Sequence, residues 1–142
     1  PGIVNLSLGS DDKEPVIEQA IYEAISKGTL VVAASGNDGD TGNPLGYPAS
    51  IPHVLTVGAS DRANGIADFS SRSRFVDLAA PGVDIPIATA LGKGWTTADG
   101  TSFASPLVSG AAAWVWTVRP ELDNTQPIAG AAAIDRASGS MQ

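Results

Sequence analysis

Apolar and polar positions along the chain follow two periods. Short runs rich in β-branched and aliphatic residues, "IVNLSL" (3–8), "LVVAA" (30–34) and "HVLTVGA" (53–59), predict strands. The second is apolar throughout, as in a strand covered on both faces. Between the first two, "GSDDKEPVIEQAIYEAISKG" places Val16, Ile17, Ala20, Ile21, Ala24 and Ile25 in one stripe at helical spacing. Ser10, Asp11 and Asp12 are candidate N-caps, Glu14 suits the positive helix end and Pro15 suits its first turn. Gly28 is the expected stop. Strand, helix and strand within about 30 residues make a βαβ unit, for which a right-handed crossover is expected.

The pattern then changes. "SGNDGDTGNPLGYP" (35–48) is a long loop rich in Gly, Asn and Asp. "FVDLAAPGVDIPIAT" (75–89) holds two more short strands, and "KGWTTADG" (93–100) a strand ending in a turn. From Ser102 or Phe103 to about Thr117 the residues predict a helix, apolar nearly all round and therefore expected to be buried. Pro120 should end it by restricting Arg119. Trp114 and Trp116 are two apart and cannot share a face, so one is expected in the core and the other over a neighbouring segment. A weaker helix is expected over 126–137, and 139–142 has the character of a tail. With no repeat and no linker, the chain reads as one α/β unit.

Composition narrows the classes. The chain has 142 residues, 43% of them hydrophobic, enough for a buried core. Eight Lys and Arg against fifteen Asp and Glu give a net charge of −7. A nucleic-acid partner would need a basic face, so none is expected. Cysteine is absent, which removes disulfides, thiolate metal sites and a thiol nucleophile. No apolar run approaches the ~20 residues of a membrane span, so no membrane partner is expected. The chain opens on a strand-like segment without a signal-peptide pattern, as expected of a piece of something longer.

Candidate chemistry sits at strand ends and at one helix start. Ligands of open α/β sheets bind beyond the carboxyl ends of the strands. The first strand finishes Ser7-Leu8-Gly9 and the second Ala34-Ser35-Gly36-Asn37, leaving backbone along which an extended peptide can pair. Asn37 adds a side-chain amide beside that groove. Ser102, in "DGTSFASPLVSG" (99–110), lies at a helix start, where unpaired N–H groups and the helix dipole favour negative charge. A hydroxyl nucleophile, a helix-end N–H and an amide donor are what an acyl-transfer site requires. Taken singly, the bland readings prevail: a Ser at a helix start is usually a cap, and an Asn beside glycine is usually a turn residue.

Together these segments resemble the C-terminal half of a subtilisin-like serine protease, a subtilase. "GTSFASP" (100–106) resembles the family's Gly-Thr-Ser-x-Ala-x-Pro nucleophile motif, and "AASGNDG" (33–39) its oxyanion-asparagine loop. "NLSLGS" (5–10) resembles a wall of the substrate cleft. "LGYPAS" (45–50), "VGAS" (57–60), "DFSSRS" (68–73) and "LAAPGVDI" (78–85) follow in the family's order, over residues 3 to 126. The resemblance implies part of a doubly wound, mostly parallel α/β sandwich and hydrolysis of peptide bonds through an acyl-enzyme at Ser102. It implies Asn37 and the Ser102 N–H as oxyanion donors, with Thr101 supporting them. Ser7, Leu8, Gly9, Ala34, Ser35 and Gly36 would bind the peptide, and Gly46 and Tyr47 would close the far end of its pocket. A peptide or protein substrate is implied, the N-terminal half of the same domain as partner, and a secreted or cell-envelope location. No cofactor is required. For calcium, the resemblance offers only the carbonyls of Ala49, Ile51 and Val54.

The chain also departs from the family. The acid and base precede the serine there, and neither motif is present here. His53, the one histidine, lies at a strand start without a His-Gly-Thr context and is expected to be structural or solvent-facing. Asp40-Thr41-Gly42 mimics the acid motif but follows the oxyanion asparagine. Leu107 replaces a structural histidine, and Phe103 replaces a methionine beside the nucleophile. The fragment is therefore expected to be inactive alone. Two other readings stay open: a non-catalytic subtilase-like module that binds peptides or partners, and an unrelated small α/β binding domain.

Overall fold

A computed structural model describes residues 2–124. In chain order it contains β1 (Gly2–Leu6), α1 (Pro15–Ser26), β2 (Thr29–Ala34), β3 (Leu55–Ser60), β4 (Val76–Pro81), β5 (Ile85–Ala88), a 3₁₀ turn (Ala90–Gly92), β6 (Trp95–Ala98) and α2 (Thr101–Val118). The first four strands form one parallel sheet in the order β1-β2-β3-β4, while β5 and β6 pair as an antiparallel hairpin. This is the expected α/β architecture. The helix expected over 126–137 and the tail at 139–142 lie outside the described residues.

The sheet is covered on both faces because β2 and β3 are apolar at successive positions. Leu30 and Val32 of β2, with Leu55, Val57 and Ala59 of β3, pack with Ala104, Val108 and Ala112 of α2. The intervening Val31 and Ala33 turn to the other face and pack with Ile21 of α1 and with Ala49, Ile51 and Val54. Alternation at period two thus divides one continuous apolar run between two cores. Each fully buried Val or Leu contributes about 1.5–3 kcal/mol.

Three expectations about the helices are corrected. α1 begins at Pro15 with Glu14 as its cap residue, and no side chain caps it. Ser10, Asp11 and Asp12 lie too early: proline holds Glu14 extended, and the Ser10 backbone pairs instead with Tyr47. The α1 stripe packs only through its C-terminal half, since Val16 and Ile17 are exposed. α2 is not buried all round. Ala104, Ser105, Val108 and Ala112 face the sheet, whereas Leu107, Trp114 and Val118 are exposed. One sheet face covers only one side of a helix, whatever the composition of the other. Trp116 packs on the core and donates from Nε1 to the Leu122 carbonyl at 2.9 Å, while Trp114 is 69% exposed. Among the described residues no helix is long and apolar enough to cross a membrane.

Candidate active site

The carboxyl ends of β1 and β2 and the start of α2 meet at one cleft of about 320 Å³. Its walls include Leu8, Gly9, Ala34, Ser35, Gly36, Asn37, Gly46, Tyr47, Thr101 and Ser102. Ser7 stands beside it, its carbonyl 3.4 Å from Ser102 Oγ. The sequence-derived site residues therefore converge, although Ser7 and Ser102 are 95 positions apart.

Local chemistry sets each part in place. Asn37 follows β2 in a loop held by the segment 69–71: Gly39 N–H donates to the Phe69 carbonyl at 2.9 Å, Asp38 N–H to Ser71 Oγ at 3.0 Å and Ser71 N–H to the Gly36 carbonyl at 2.9 Å. Asn37 Oδ1 accepts from both the backbone N–H and the hydroxyl of Thr101, each at 2.9 Å. Thr101 is buried, and its hydroxyl oxygen also lies 3.3 Å from Gly36 N. With the carbonyl oxygen of the amide so held, Nδ2 must point away from Thr101. Among the described residues it has no hydrogen-bond partner. A helix leaves its first N–H groups unpaired. In α2 that of Thr101 goes to Asn37 and that of Phe103 to the Gly100 carbonyl at 3.1 Å, which leaves the Ser102 N–H beside the cleft.

Close packing behind Ser102 fixes the entry to α2. Gly100 N–H donates to the Gly82 carbonyl at 2.8 Å. A side chain at Gly82 would place its Cβ 2.6 Å from that of Ala59 and 2.9 Å from the Gly100 carbonyl. The β4 end, the hairpin and the Ser102 turn fit only because residue 82 has no side chain.

The described residues bring no base to Ser102. His53 is exposed, in the left-handed region at φ 69°, and does not line the cleft. Asp40 is exposed and also outside the cleft wall. The carboxylates that do line it are Asp11 and Asp38. Asp11, a helix-start residue in the sequence reading, reaches the cleft because the Ser10–Tyr47 pairing folds its loop over the pocket. The buttressing Ser71 was also missed; two adjacent serines in "DFSSRS" are the only trace it leaves. Elsewhere, burial pushes the Asp77 carboxyl above its ordinary value, partly offset by the Thr56 N–H that it accepts at 2.8 Å.

Two of the carbonyls named for calcium accept hydrogen bonds from protein donors. Ala49 O accepts from Thr56 Oγ1 at 2.6 Å and Ile51 O from Val54 N–H at 3.2 Å. Among the described residues no group of three His, Cys, Asp or Glu side chains is placed to hold a metal.

Comparison with known proteins agrees with this geometry. The model of the subtilase family matches residues 1–138. Subtilisin BL of Lederbergia lenta is 43% identical over 124 residues, covering 87% of this chain and 45% of that protein. Alkaline elastase YaB of Bacillus sp. (strain YaB) is 44% identical over 124 residues, covering 87% and 32%. Among solved structures, a cold-adapted subtilisin-like serine proteinase superposes with a TM-score of 0.80 at 32% identity, covering 89% of this chain and 45% of that one. A psychrophilic protease does so with 0.81 at 34%, covering 90% and 47%. The chain thus spans under half the length of these relatives. A parallel sheet with a serine at the start of its covering helix, an asparagine amide across the cleft and a family match along nearly the whole chain lead to one conclusion: the chain belongs to the subtilase family of serine proteases.

Proposed function

We propose that this chain is the nucleophile-bearing part of a serine endopeptidase that cleaves peptide bonds at Ser102. The observation that carries the reading is the Thr101–Asn37 contact. It holds the amide oxygen away from the cleft and commits Nδ2, with the Ser102 N–H, to a negative oxygen forming there. Ser102 Oγ attacks the substrate carbonyl, the two donors stabilise the tetrahedral intermediate, and the amine leaves to give an ester at Ser102. Water then releases the acid. The strand-end backbone at Ser7–Gly9 and Ala34–Gly36 holds the peptide, and Gly46 and Tyr47 bound the pocket for the residue before the scissile bond. Gly46 leaves room for a large apolar side chain there.

A serine hydroxyl needs a base to attack at neutral pH. The base and its orienting carboxylate are assigned to the N-terminal half of the domain, which the family places before the serine. A secreted or cell-envelope setting goes with this reading.

The test is complementation. The isolated chain is incubated with a fluorophosphonate probe and a chromogenic peptide, then again with the upstream segment of its gene added as a separate polypeptide. The expected result is no labelling alone and Ser102-dependent labelling and turnover after assembly, both abolished by Ser102→Ala. Robust turnover by the isolated chain would overturn the assignment of the base. Peptide binding without turnover by the assembled domain would favour the non-catalytic module, a reading that the lack of a base among the described residues keeps in view.

A further inference from the structure

Ser102 is the second residue of α2, and Pro106 lies inside that helix. In an uninterrupted α-helix the Ser102 carbonyl would accept the N–H of residue 106. Proline has no N–H, and its ring presses on the carbonyl four residues back. The backbone of the nucleophile residue is therefore left with an acceptor that its own helix cannot serve.

A side chain 95 positions away fills the gap. Ser7 Oγ donates to the Ser102 carbonyl at 2.8 Å. A hydroxyl has one proton, and its direction here is set from behind. Asn5 Nδ2 donates to Ser7 Oγ at 2.9 Å, so the Ser7 proton is committed to Ser102. Asn5 Oδ1 in turn accepts from Ser105 Oγ at 2.7 Å and lies 3.0 Å from Ser109 Oγ. Ser105 is fully buried, and Asn5 provides the acceptor for its hydroxyl. Asn5 lies in β1 and Ser7 directly follows its last residue, Leu6, so the two side chains come from the same strand end. Ile3, two residues earlier, packs into the core beneath α2. The return contact closes the arrangement, with Ser102 Oγ 3.4 Å from the Ser7 carbonyl.

We infer that the Ser7 hydroxyl, oriented by Asn5, replaces the helical N–H that Pro106 cannot supply, and so positions the Ser102 turn against the cleft wall. This role rests on the proteolytic reading above and is distinct from peptide binding by the Ser7–Gly9 backbone. Ser7 acts through the Ser102 main chain, so it is a positioning residue. A hydroxyl that merely satisfied a polar group would have no special relation to residue 106; a substitute for a missing N–H must be coupled to it.

The experiment is a double-mutant cycle in the assembled domain, using Ser7→Ala, Pro106→Ala and both together. Ser7→Ala is expected to lower kcat about tenfold, the worth of one hydrogen bond, with KM changed less than about twofold. Pro106→Ala restores a helical donor to the same carbonyl. In that background the Ser7→Ala loss should shrink to about threefold or less. Asn5→Leu should reproduce part of the loss, because the Ser7 proton is then undirected. Amide hydrogen exchange over residues 101–105, measured in the same four proteins, gives a readout that needs no turnover. Ser7→Ala should speed exchange beside Pro106 and have little effect once Pro106→Ala is present. Exchange coupling without turnover would sink the protease reading and leave the clamp standing. An equal Ser7→Ala loss of kcat in both backgrounds overturns the positioning role, even if exchange is coupled. Absence of coupling in exchange overturns the clamp whether or not the enzyme turns over.

Discussion

α1 and α2 lie on opposite faces of one sheet and are built by opposite rules. α1 follows local preference over most of its length, although no side chain caps its start. Pro15 opens it, Glu18 sits in its first turn, Ile21, Ala24 and Ile25 reach the sheet, and Gly28 stops it at φ 84°. α2 breaks local preference repeatedly. Its first N–H is tied to an asparagine side chain, a proline interrupts it, and buried Thr101 and Ser105 occupy positions where apolar residues would pack more simply. Each irregularity is matched by a partner far along the chain: Asn37 for Thr101, Ser7 for the carbonyl that Pro106 strands, Asn5 for Ser105. A helix that only crosses from strand to strand can obey local rules throughout. The helix that carries the candidate nucleophile departs from them, and the departures lie at the candidate site.

The comparison breaks if α2-side changes behave like α1-side ones. The largest effect is expected from Asn37→Ala in the assembled enzyme. It should lower kcat about 10²–10³-fold with little change in KM, because the donor meets the oxygen fully only in the transition state. That magnitude is the measured one for subtilisin, itself a member of this family. An unchanged kcat would remove Asn37 from the mechanism. Next comes Gly82→Ala, whose Cβ collides with Ala59 and with the carbonyl preceding Thr101. It should cost about 1–3 kcal/mol in denaturant unfolding and also lower probe labelling per folded molecule, since the strain falls on the turn that leads into Ser102. Gly28→Ala is the α1 counterpart. It places a side chain in the left-handed region at a cost of about 1 kcal/mol, with labelling per folded molecule unchanged. Reduced labelling there would mean that α1 also shapes the site.

The smallest effect concerns Asp77 on β4. Its carboxyl is raised by burial, with the Thr56 bond opposing. A raised native value means that the folded state holds this proton more tightly than the unfolded chain. Its contribution therefore falls as pH rises from the ordinary carboxylate range through the raised value. The residue retains an exposed surface, so the effect is small. Asp77→Asn keeps an acceptor for Thr56 and should raise the thermal midpoint slightly at pH 7, with the gain vanishing near pH 3 (about one unit below the ordinary value). A gain that persists at low pH would assign the effect to packing instead of charge.

What could be read from the sequence was whatever depends on neighbours in the chain. The strands at β2 and β3 were legible because apolar runs have few other uses, and the stop at Gly28 because φ > 0 favours glycine. The motif around Ser102 was legible because glycine, threonine, serine and proline at fixed spacing say where a helix starts and what it carries. The N-cap was misplaced because three polar residues before Pro15 are equivalent in one dimension, and a pairing with Tyr47 took Ser10 away. The burial of α2 was overstated because composition counts apolar residues, whereas a sheet face decides which of them it covers.

Sequence by itself determined the α/β class, the order of elements and the candidates for nucleophile and oxyanion amide, through local propensity and a dense motif. Tertiary structure alone decided which way the Asn37 amide points, which tryptophan enters the core, that Asp11 reaches the cleft and that Ser7 completes the turn Pro106 leaves open. The physical reason is directional. Hydrophobic period and backbone preference are set by residues a few positions apart, whereas a hydrogen bond is set by two groups meeting at about 2.9 Å. At this site the partners are 64 to 104 positions apart in the chain, and only the folded sheet brings them to that distance.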